Sequence, residues 1–179
     1  MDWVEVERRQ PRLADLGRQR LMDPGLVLVA TMRRDGTPRL SPVEPWIMDG
    51  VLWLSMMLRS TKAGDLARDP RILVHNTIAN KDGQEGEFKI RGRARNEERT
   101  EIQSRYAAQV SQHLGWNPEP GRFHLFAVGI EHITYLHYHP PTGDQYGVMW
   151  PPAREFIRRA TSETSVGPPE PLTDMLVPD

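Results

Sequence analysis

One short stretch places two hydroxyl side chains and two cations where a predicted strand meets a predicted helix: Arg59, Ser60, Thr61 and Lys62. The apolar run 51–57 before them is typical of a buried strand, and Asp69-Pro70 ends the helix that they open. The free N–H groups and the dipole at a helix start favour an anion, and these side chains add donors and positive charge. The junction could therefore hold a phosphate-bearing cofactor.

The same four residues also allow a purely structural explanation. Ser60 or Thr61 could cap the helix, and the side chains of Arg59 and Lys62 could simply be solvated. The stretch alone does not decide between an anion site and a capped helix, so the segments around it carry the argument further.

The surrounding sequence predicts several antiparallel strands and few helices, an order that suggests a barrel. A charged helical segment ends at 23–25, and Asp35-Gly36 and Asp49-Gly50 are hairpin turn signals. Further helices are predicted at 61–68 and 97–114, a helix-like piece at 153–160, and a Pro-rich extended tail at 165–179. The predicted strands are 26–32, 37–47, 51–57, 71–78, 87–95, 122–128 and 133–139.

Composition excludes several classes of protein. The 179 residues carry a formal net charge of -1, which argues against a nucleic-acid binder that relies on a positive field. The chain has no cysteine, so disulfides, thiolate metal sites and cysteine nucleophiles are excluded. No apolar run is long enough to span a membrane, and the first residues are acidic, unlike a signal peptide. We expect a soluble, cytoplasmic protein with neither nucleic-acid nor membrane partners.

Four fragments in a fixed order resemble the pyridoxamine 5'-phosphate oxidase-like family, the FMN-binding split barrels. They are Val29–Arg39, Trp53–Ser55, Ser60–Arg71 and Gly92–Arg95, and the resemblance extends over about residues 26–137. It implies a mainly β (α+β) fold, a six-stranded antiparallel split β-barrel with flanking helices. It also implies a homodimer with a flavin-type cofactor at its interface. The chain then divides into an N-terminal helical segment 1–24, a flavin-binding domain 25–140, and a C-terminal arm and tail 141–179.

The resemblance also assigns cofactor-binding residues. Arg39 matches the family's phosphate-contacting arginine on the second strand, and Thr61 and Lys62 match its phosphate-binding pair. Ser60 precedes that pair, and Arg59 would be auxiliary. The residues matched to the isoalloxazine ring are Leu40, Ser41, Pro42, Val43 and Glu44 on the second strand and Ser55 and Met56 on the third.

The sequence departs from the oxidase itself at two positions near its cofactor contacts. Glu44 stands near a lysine of the oxidase, and Glu87 stands near a glutamine that contacts flavin. An ionised carboxylate cannot donate a hydrogen bond to a flavin carbonyl. The substrate-binding arginine and histidine of the oxidase have no visible counterpart, so we do not predict pyridoxamine phosphate oxidation. No acid or base stands out, and the catalytic residues stay unassigned.

Other chemistry-bearing residues have two explanations each. His137 and His139 share a strand face, as metal ligands would, but no third ligand is near in sequence and we predict no metal. His75, His137 or His139 could serve as a haem ligand. The segment 146–152 could be a lid over a partner's site or a packed arm. The cluster of Trp46, Trp53, Met56 and Met57 could form core or could wall the cofactor ring.

Three functional hypotheses follow. The first is an FMN-dependent oxidoreductase with an unidentified small substrate. The second is a deazaflavin-dependent reductase, whose anionic cofactor tail would need the basic side chains of Arg59, Arg68 and Arg71. The third is a non-enzymatic flavin- or haem-binding protein. In the first two, the cofactor supplies the electron transfer and the protein supplies orientation and electrostatics.

Overall fold

The computed structural model describes residues 1–82 and 85–172 and contains four helices and twelve strands in that part of the chain. The helices are α1 (Trp3–Arg9), α2 (Pro11–Met22), α3 (Thr61–Arg68) and α4 (Thr100–Leu114). The strands are β1 (Val27–Met32), β2 (Pro38–Val43), β3 (Pro45–Met48), β4 (Val51–Met57), β5 (Arg71–Asn76), β6 (Glu87–Asn96), β7 (Phe123–His139), β8 (Asp144–Trp150), β9 (Arg154–Arg158), β10 (Ala160–Ser162), β11 (Ser165–Val166) and β12 (Glu170–Pro171).

Ten of the strands form one antiparallel sheet. Its main path runs β12-β9-β8-β7-β6-β5-β1-β2, while β4 pairs with the first part of β7 and β3 pairs with β4. The chain passes directly from β2 to β3 at Glu44, yet β2 pairs with β1 and β3 pairs with β4. The sheet therefore separates between β2 and β4, and the predicted fold class, a mainly β antiparallel split barrel with flanking helices, is confirmed.

Two apolar clusters lie on opposite faces of β4. Leu52, Leu54 and Met56 belong to the larger cluster, which α1 and α2 cover with Trp3 and other buried side chains. The second cluster joins Trp53 to Tyr106 and Val110 of α4 and to the first residues of β7. Because strand side chains alternate between faces, Ser55 faces the α4 side and Met56 faces the larger core.

Three of the predicted strands differ from the structure. The predicted strand 37–47 is two strands, because the chain changes pairing partner at Glu44. The predicted strands 122–128 and 133–139 are one strand, β7, since Gly129 does not interrupt it. A β-carbon on Gly92 would lie 2.1 Å from the Gly129 carbonyl oxygen, so these glycines permit a close backbone approach at the bulge in the β6–β7 pairing.

The helix-like prediction at 153–160 was wrong. These residues form β9 and the start of β10, with Ile157 buried, because β8 offers an open edge whose backbone groups β9 satisfies. Within the predicted tail, β11 and β12 occupy parts of 165–171, and 173–179 lie outside the described residues. The three-part division of the chain stays a prediction. Among the described helices, none combines the length and the apolar character needed to cross a membrane.

Candidate functional site

The strand-to-helix junction is both capped and cationic. Ser60 has an extended backbone, and its Oγ accepts a hydrogen bond from the Ala63 N–H at 3.3 Å, so it is the N-cap of α3. Thr61 is exposed at the first helical position. Arg59 is exposed, has a φ of 62° in the left-handed region and forms no ion pair with any described residue. The structural explanation thus holds for Ser60, while Thr61 and Arg59 remain open to a ligand.

Lys62 joins the start of α3 to the end of β2. Its Nζ donates to the Pro42 carbonyl oxygen at 3.0 Å. An ammonium group has three donors, so two remain after this bond. Lys62 is therefore held beside β2 and can still contact an anion.

Arg39 is held by a carboxylate that sequence reasoning missed. Its Nε donates to Asp65 Oδ2 at 2.6 Å, and the terminal nitrogens of its guanidinium donate to no described residue. Asp65 lies in α3, is only 5% exposed, and also accepts from Thr31 Oγ1 at 3.0 Å and from Arg68 Nη2 at 3.2 Å. The Asp65-x-x-Arg68 spacing on one helix face was the only sequence signal for this network.

The charge state of Asp65 follows from opposing effects. Burial alone would raise the pKa of its carboxyl group, but the hydrogen bonds from Arg39, Thr31 and Arg68 outweigh burial and lower the pKa below the ordinary value. Asp65 is therefore ionised at neutral pH and compensates part of the positive charge of Arg39. The free side of the Arg39 guanidinium is oriented by this contact.

The predicted ring-contacting residues of β2 fall on two faces. Leu40 and Pro42 are exposed on the outer face, whereas Ser41 is half-buried and Val43 buried on the inner one. Glu44 is exposed where the chain leaves β2 for β3. The five side chains therefore do not form one surface that could face a single ligand.

Ser55 and Met56 are both buried, on opposite faces of β4. Met56 is 2% exposed within the larger core, so its side chain supports the strand. Ser55 Oγ accepts a hydrogen bond of 2.9 Å from the Tyr106 hydroxyl of α4. Within the described residues, β3 pairs with β4 only from Val51 to Leu54. From Ser55 onward, the edge of β4 that faces β3 therefore has no strand partner in this part of the chain.

The other candidate residues are distributed through the fold. Trp53 donates to the Met48 carbonyl oxygen from a buried position, and Trp46 donates to Gln109 of α4, so both support packing. Met57, at 75% exposed, is open to solvent. The segment 146–152, for which the sequence suggests a lid or a packed arm, contains most of β8 and is part of the sheet.

The three histidines considered for haem do not converge. His75 Nδ1 lies 2.6 Å from the Asn76 carbonyl oxygen. His137 is buried with its ring 6.3 Å from that of Tyr135, and His139 is half-buried with its Nδ1 3.0 Å from Thr142 Oγ1. Across residues 1–82 and 85–172, no group of three histidine, aspartate or glutamate side chains could hold a metal ion.

Comparison with known proteins agrees with this architecture. The family model described as pyridoxamine 5'-phosphate oxidase matches residues 14–137. No curated protein sequence is significantly similar to the chain. Among solved structures, a putative pyridoxamine 5'-phosphate oxidase from Listeria innocua is 18% identical with a TM-score of 0.55, over 70% of this chain and 94% of that one.

Two further similar structures carry different names. The haem storage protein HutZ from Vibrio cholerae is 16% identical with a TM-score of 0.54, over 68% of this chain and 89% of that one. An F420 reductase is 18% identical with a TM-score of 0.51, over 65% of this chain and 94% of that one. At such identities the likeness establishes the fold, and the choice of ligand has to be argued from the site.

Proposed function

Because the chain belongs to the pyridoxamine 5'-phosphate oxidase family, as a divergent member, we propose that it is an FMN-dependent oxidoreductase acting on a small molecule. FMN would lie at the split between β2 and β4, with its phosphate at the start of α3. The observation that carries this proposal is that Arg39 of β2 and Lys62 of α3 each bridge these two elements, with Lys62 at the helix start, where free N–H groups favour an anion.

The residues present fit a flavin phosphate. Toward the described residues, Lys62 uses one of its three donors and the terminal nitrogens of Arg39 use none. Thr61 adds an exposed hydroxyl, and Arg59 adds an exposed charge that forms no ion pair within residues 1–82 and 85–172. Charge-assisted hydrogen bonds of this kind are the strong ones, and two or three positive groups suit a phosphate dianion. The β4 edge beyond Leu54, which no described strand pairs on the β3 side, would leave backbone groups for the ring.

The protein's own share of the reaction is binding and orientation. Bound FMN would supply hydride or electron transfer. Arg39 and Lys62 would anchor the phosphate, and Asp65 would keep the Arg39 guanidinium turned toward it. Because the described residues at the site include no paired acid and base, we assign no proton transfer to a side chain.

We also propose a homodimer with the cofactor at its interface. The outer faces of β2, β1 and β5 carry a continuous row of apolar side chains in register: Leu40 opposite Ala30, and Ala30 opposite Leu73. Leu40 is 64% exposed and Leu73 is 38% exposed. An exposed apolar sheet face beside a candidate ligand site favours an interface with a second copy.

The dimer proposal predicts that a charge in the apolar face lowers the mass of the assembly in solution. Leu73→Asp would place a charge in the apolar face and is expected to shift the protein toward monomer at micromolar concentration, measured by sedimentation velocity. Val4→Asp, at an exposed apolar position on α1, is the matched control and should leave the mass of the wild-type assembly unchanged. A wild-type protein that sediments as a monomer would contradict the proposal.

A specific observation favours deazaflavin as the second candidate cofactor. A groove of about 250 Å³ on the same outer face has an apolar floor that includes Ile72 and Leu73, with Arg71, Arg91 and Arg93 around it. Arg91 forms no ion pair with the described residues, whereas Arg71 pairs with Asp69 and Arg93 with Glu131. Such a groove suits an anionic tail, which FMN lacks and a deazaflavin cofactor carries.

Parallel titrations test the proposed function. The purified protein is titrated with FMN, a deazaflavin cofactor and haemin, following fluorescence quenching or the Soret band, and then assayed for turnover of the reduced cofactor. We expect FMN to bind and to be reoxidised catalytically. Binding of deazaflavin with rejection of FMN would favour the second candidate, and binding of haemin alone would favour a haem protein. Binding of none of the three would contradict the proposal.

A further inference from the structure

A buried tyrosine and a buried serine form a hydrogen-bonded pair beside the split. Tyr106 is completely buried in α4, and Ser55 is 6% exposed on β4. The Tyr106 hydroxyl donates to Ser55 Oγ at 2.9 Å. The Tyr106 ring packs 5.8 Å from that of Phe123 within the second cluster, so the position of its hydroxyl is fixed by packing.

This contact determines what the serine hydroxyl can do. Burial, together with the nearby charge of Glu44, raises the pKa of Tyr106 to about 12, so its phenol stays protonated and remains a donor at physiological pH. A serine that accepts from this donor has its single proton left for another acceptor. Ser55 donates to no described residue. A buried donor without an acceptor is unfavourable by about 1–3 kcal/mol, so native proteins rarely leave one in place.

The position of the pair relates it to the candidate site. Ser55 is the first residue of β4 beyond the part that pairs with β3. Glu44, where the chain passes from β2 to β3, is near enough for its charge to act on Tyr106. The pair thus joins α4 to β4 at the point where β4 loses its β3 partner.

We propose that Tyr106 is a positioning residue that makes the Ser55 hydroxyl a fixed hydrogen-bond donor to the bound cofactor. The site then selects a ring that presents a carbonyl oxygen or an unprotonated ring nitrogen next to β4. This inference rests on the proposed function, since it assigns a role within the same site. Sequence resemblance assigned a contact to Ser55 but indicated nothing about α4.

A double-mutant cycle with FMN as the probe tests the pair. Tyr106→Phe and Ser55→Ala are each expected to weaken FMN affinity by about 3- to 10-fold, the range of one hydrogen bond. Both should shift the visible absorption band of bound FMN, because a hydrogen bond to the ring perturbs its electronic transition. In the Ser55→Ala background, Tyr106→Phe should have almost no further effect on either quantity. Ser55→Thr, which keeps the hydroxyl, should restore the wild-type band.

Controls separate this role from general stability. Tyr138→Phe is the matched change at a tyrosine that is 39% exposed on β7, and it should alter neither affinity nor spectrum. Equal losses from Tyr106→Phe with and without Ser55, or an unchanged band in both single variants, would overturn the inference while leaving the proposed function intact. A wild-type protein that binds no flavin would overturn both.

Discussion

Replacing Lys62 with glutamate is expected to weaken FMN binding by about 100-fold or more. A hydrogen bond to a charged group contributes about 1.5–3 kcal/mol, which corresponds to roughly 10- to 150-fold in affinity. The substitution removes that donor and also places a negative charge beside the phosphate. Because Lys62 also donates to the Pro42 carbonyl oxygen, the variant loses the tie between α3 and β2 on the same side of the site.

Two comparisons make the Lys62→Glu result specific. The dissociation constant is measured by flavin fluorescence at low and at high salt, since an electrostatic loss should shrink as salt screens the charges. Lys81→Glu is the matched control, since it makes the same charge change at an exposed turn position after β5. The FMN affinity of this variant should stay within twofold of that of wild type. An unchanged affinity in Lys62→Glu would mean that the phosphate lies elsewhere.

The strand-to-helix junction was predictable because its determinants are local. The apolar run of β4, the capping Ser60 and the breaker Asp69-Pro70 all act within a few residues, and the structure places α3 at Thr61–Arg68. The hairpin at Asp35-Gly36 is local in the same way, with Thr37 N–H donating to Asp35 Oδ1 at 3.0 Å. Elements of this kind are encoded by neighbouring residues and need no knowledge of the tertiary fold.

Contacts between distant segments were not predictable from pattern. Asp65 and Arg39 are 26 residues apart, and Tyr106 and Ser55 are 51 apart, so no periodicity relates them. The error at 153–160 has the same origin: a charged stretch with helical spacing became β9 because the edge of β8 was available. Tertiary pairing determines the secondary structure of such segments. The family resemblance ends before residue 140 and therefore does not cover 153–160. The assignments of the ring-contacting residues stay predictions.

Replacing Asp65 with asparagine is expected to lower the free energy of unfolding by about 2–3 kcal/mol at pH 7. Removal of one partner from a buried charge cluster leaves uncompensated charge, an effect that reaches about 3–5 kcal/mol for fully buried pairs. Here the side chains of Arg39 and Arg68 are 23% and 38% exposed, so solvent moderates the loss. The asparagine amide group would also point a donor at side chains that are themselves donors.

The pH dependence of the stability difference tests whether ionised Asp65 is the stabilising form. The pKa of Asp65 is lower in the folded protein than its ordinary value of 3.8, so its contribution is present above that value and is lost as pH falls through the lower, folded pKa. The stability gap between wild type and Asp65→Asn, measured by urea unfolding without cofactor, should therefore be widest at neutral pH and narrow below about pH 4.

A neighbouring carboxylate shows why burial matters in this comparison. Asp69→Asn makes the same chemical change at the end of α3, where Asp69 pairs with a largely exposed Arg71, and its effect on stability should be much smaller. If Asp65→Asn were as stable as Asp69→Asn at pH 7, Asp65 would not be the residue that fixes Arg39. Arg39 would then be oriented by the ligand itself, and the phosphate site would form on binding instead of being preformed by the contact between α3 and β2.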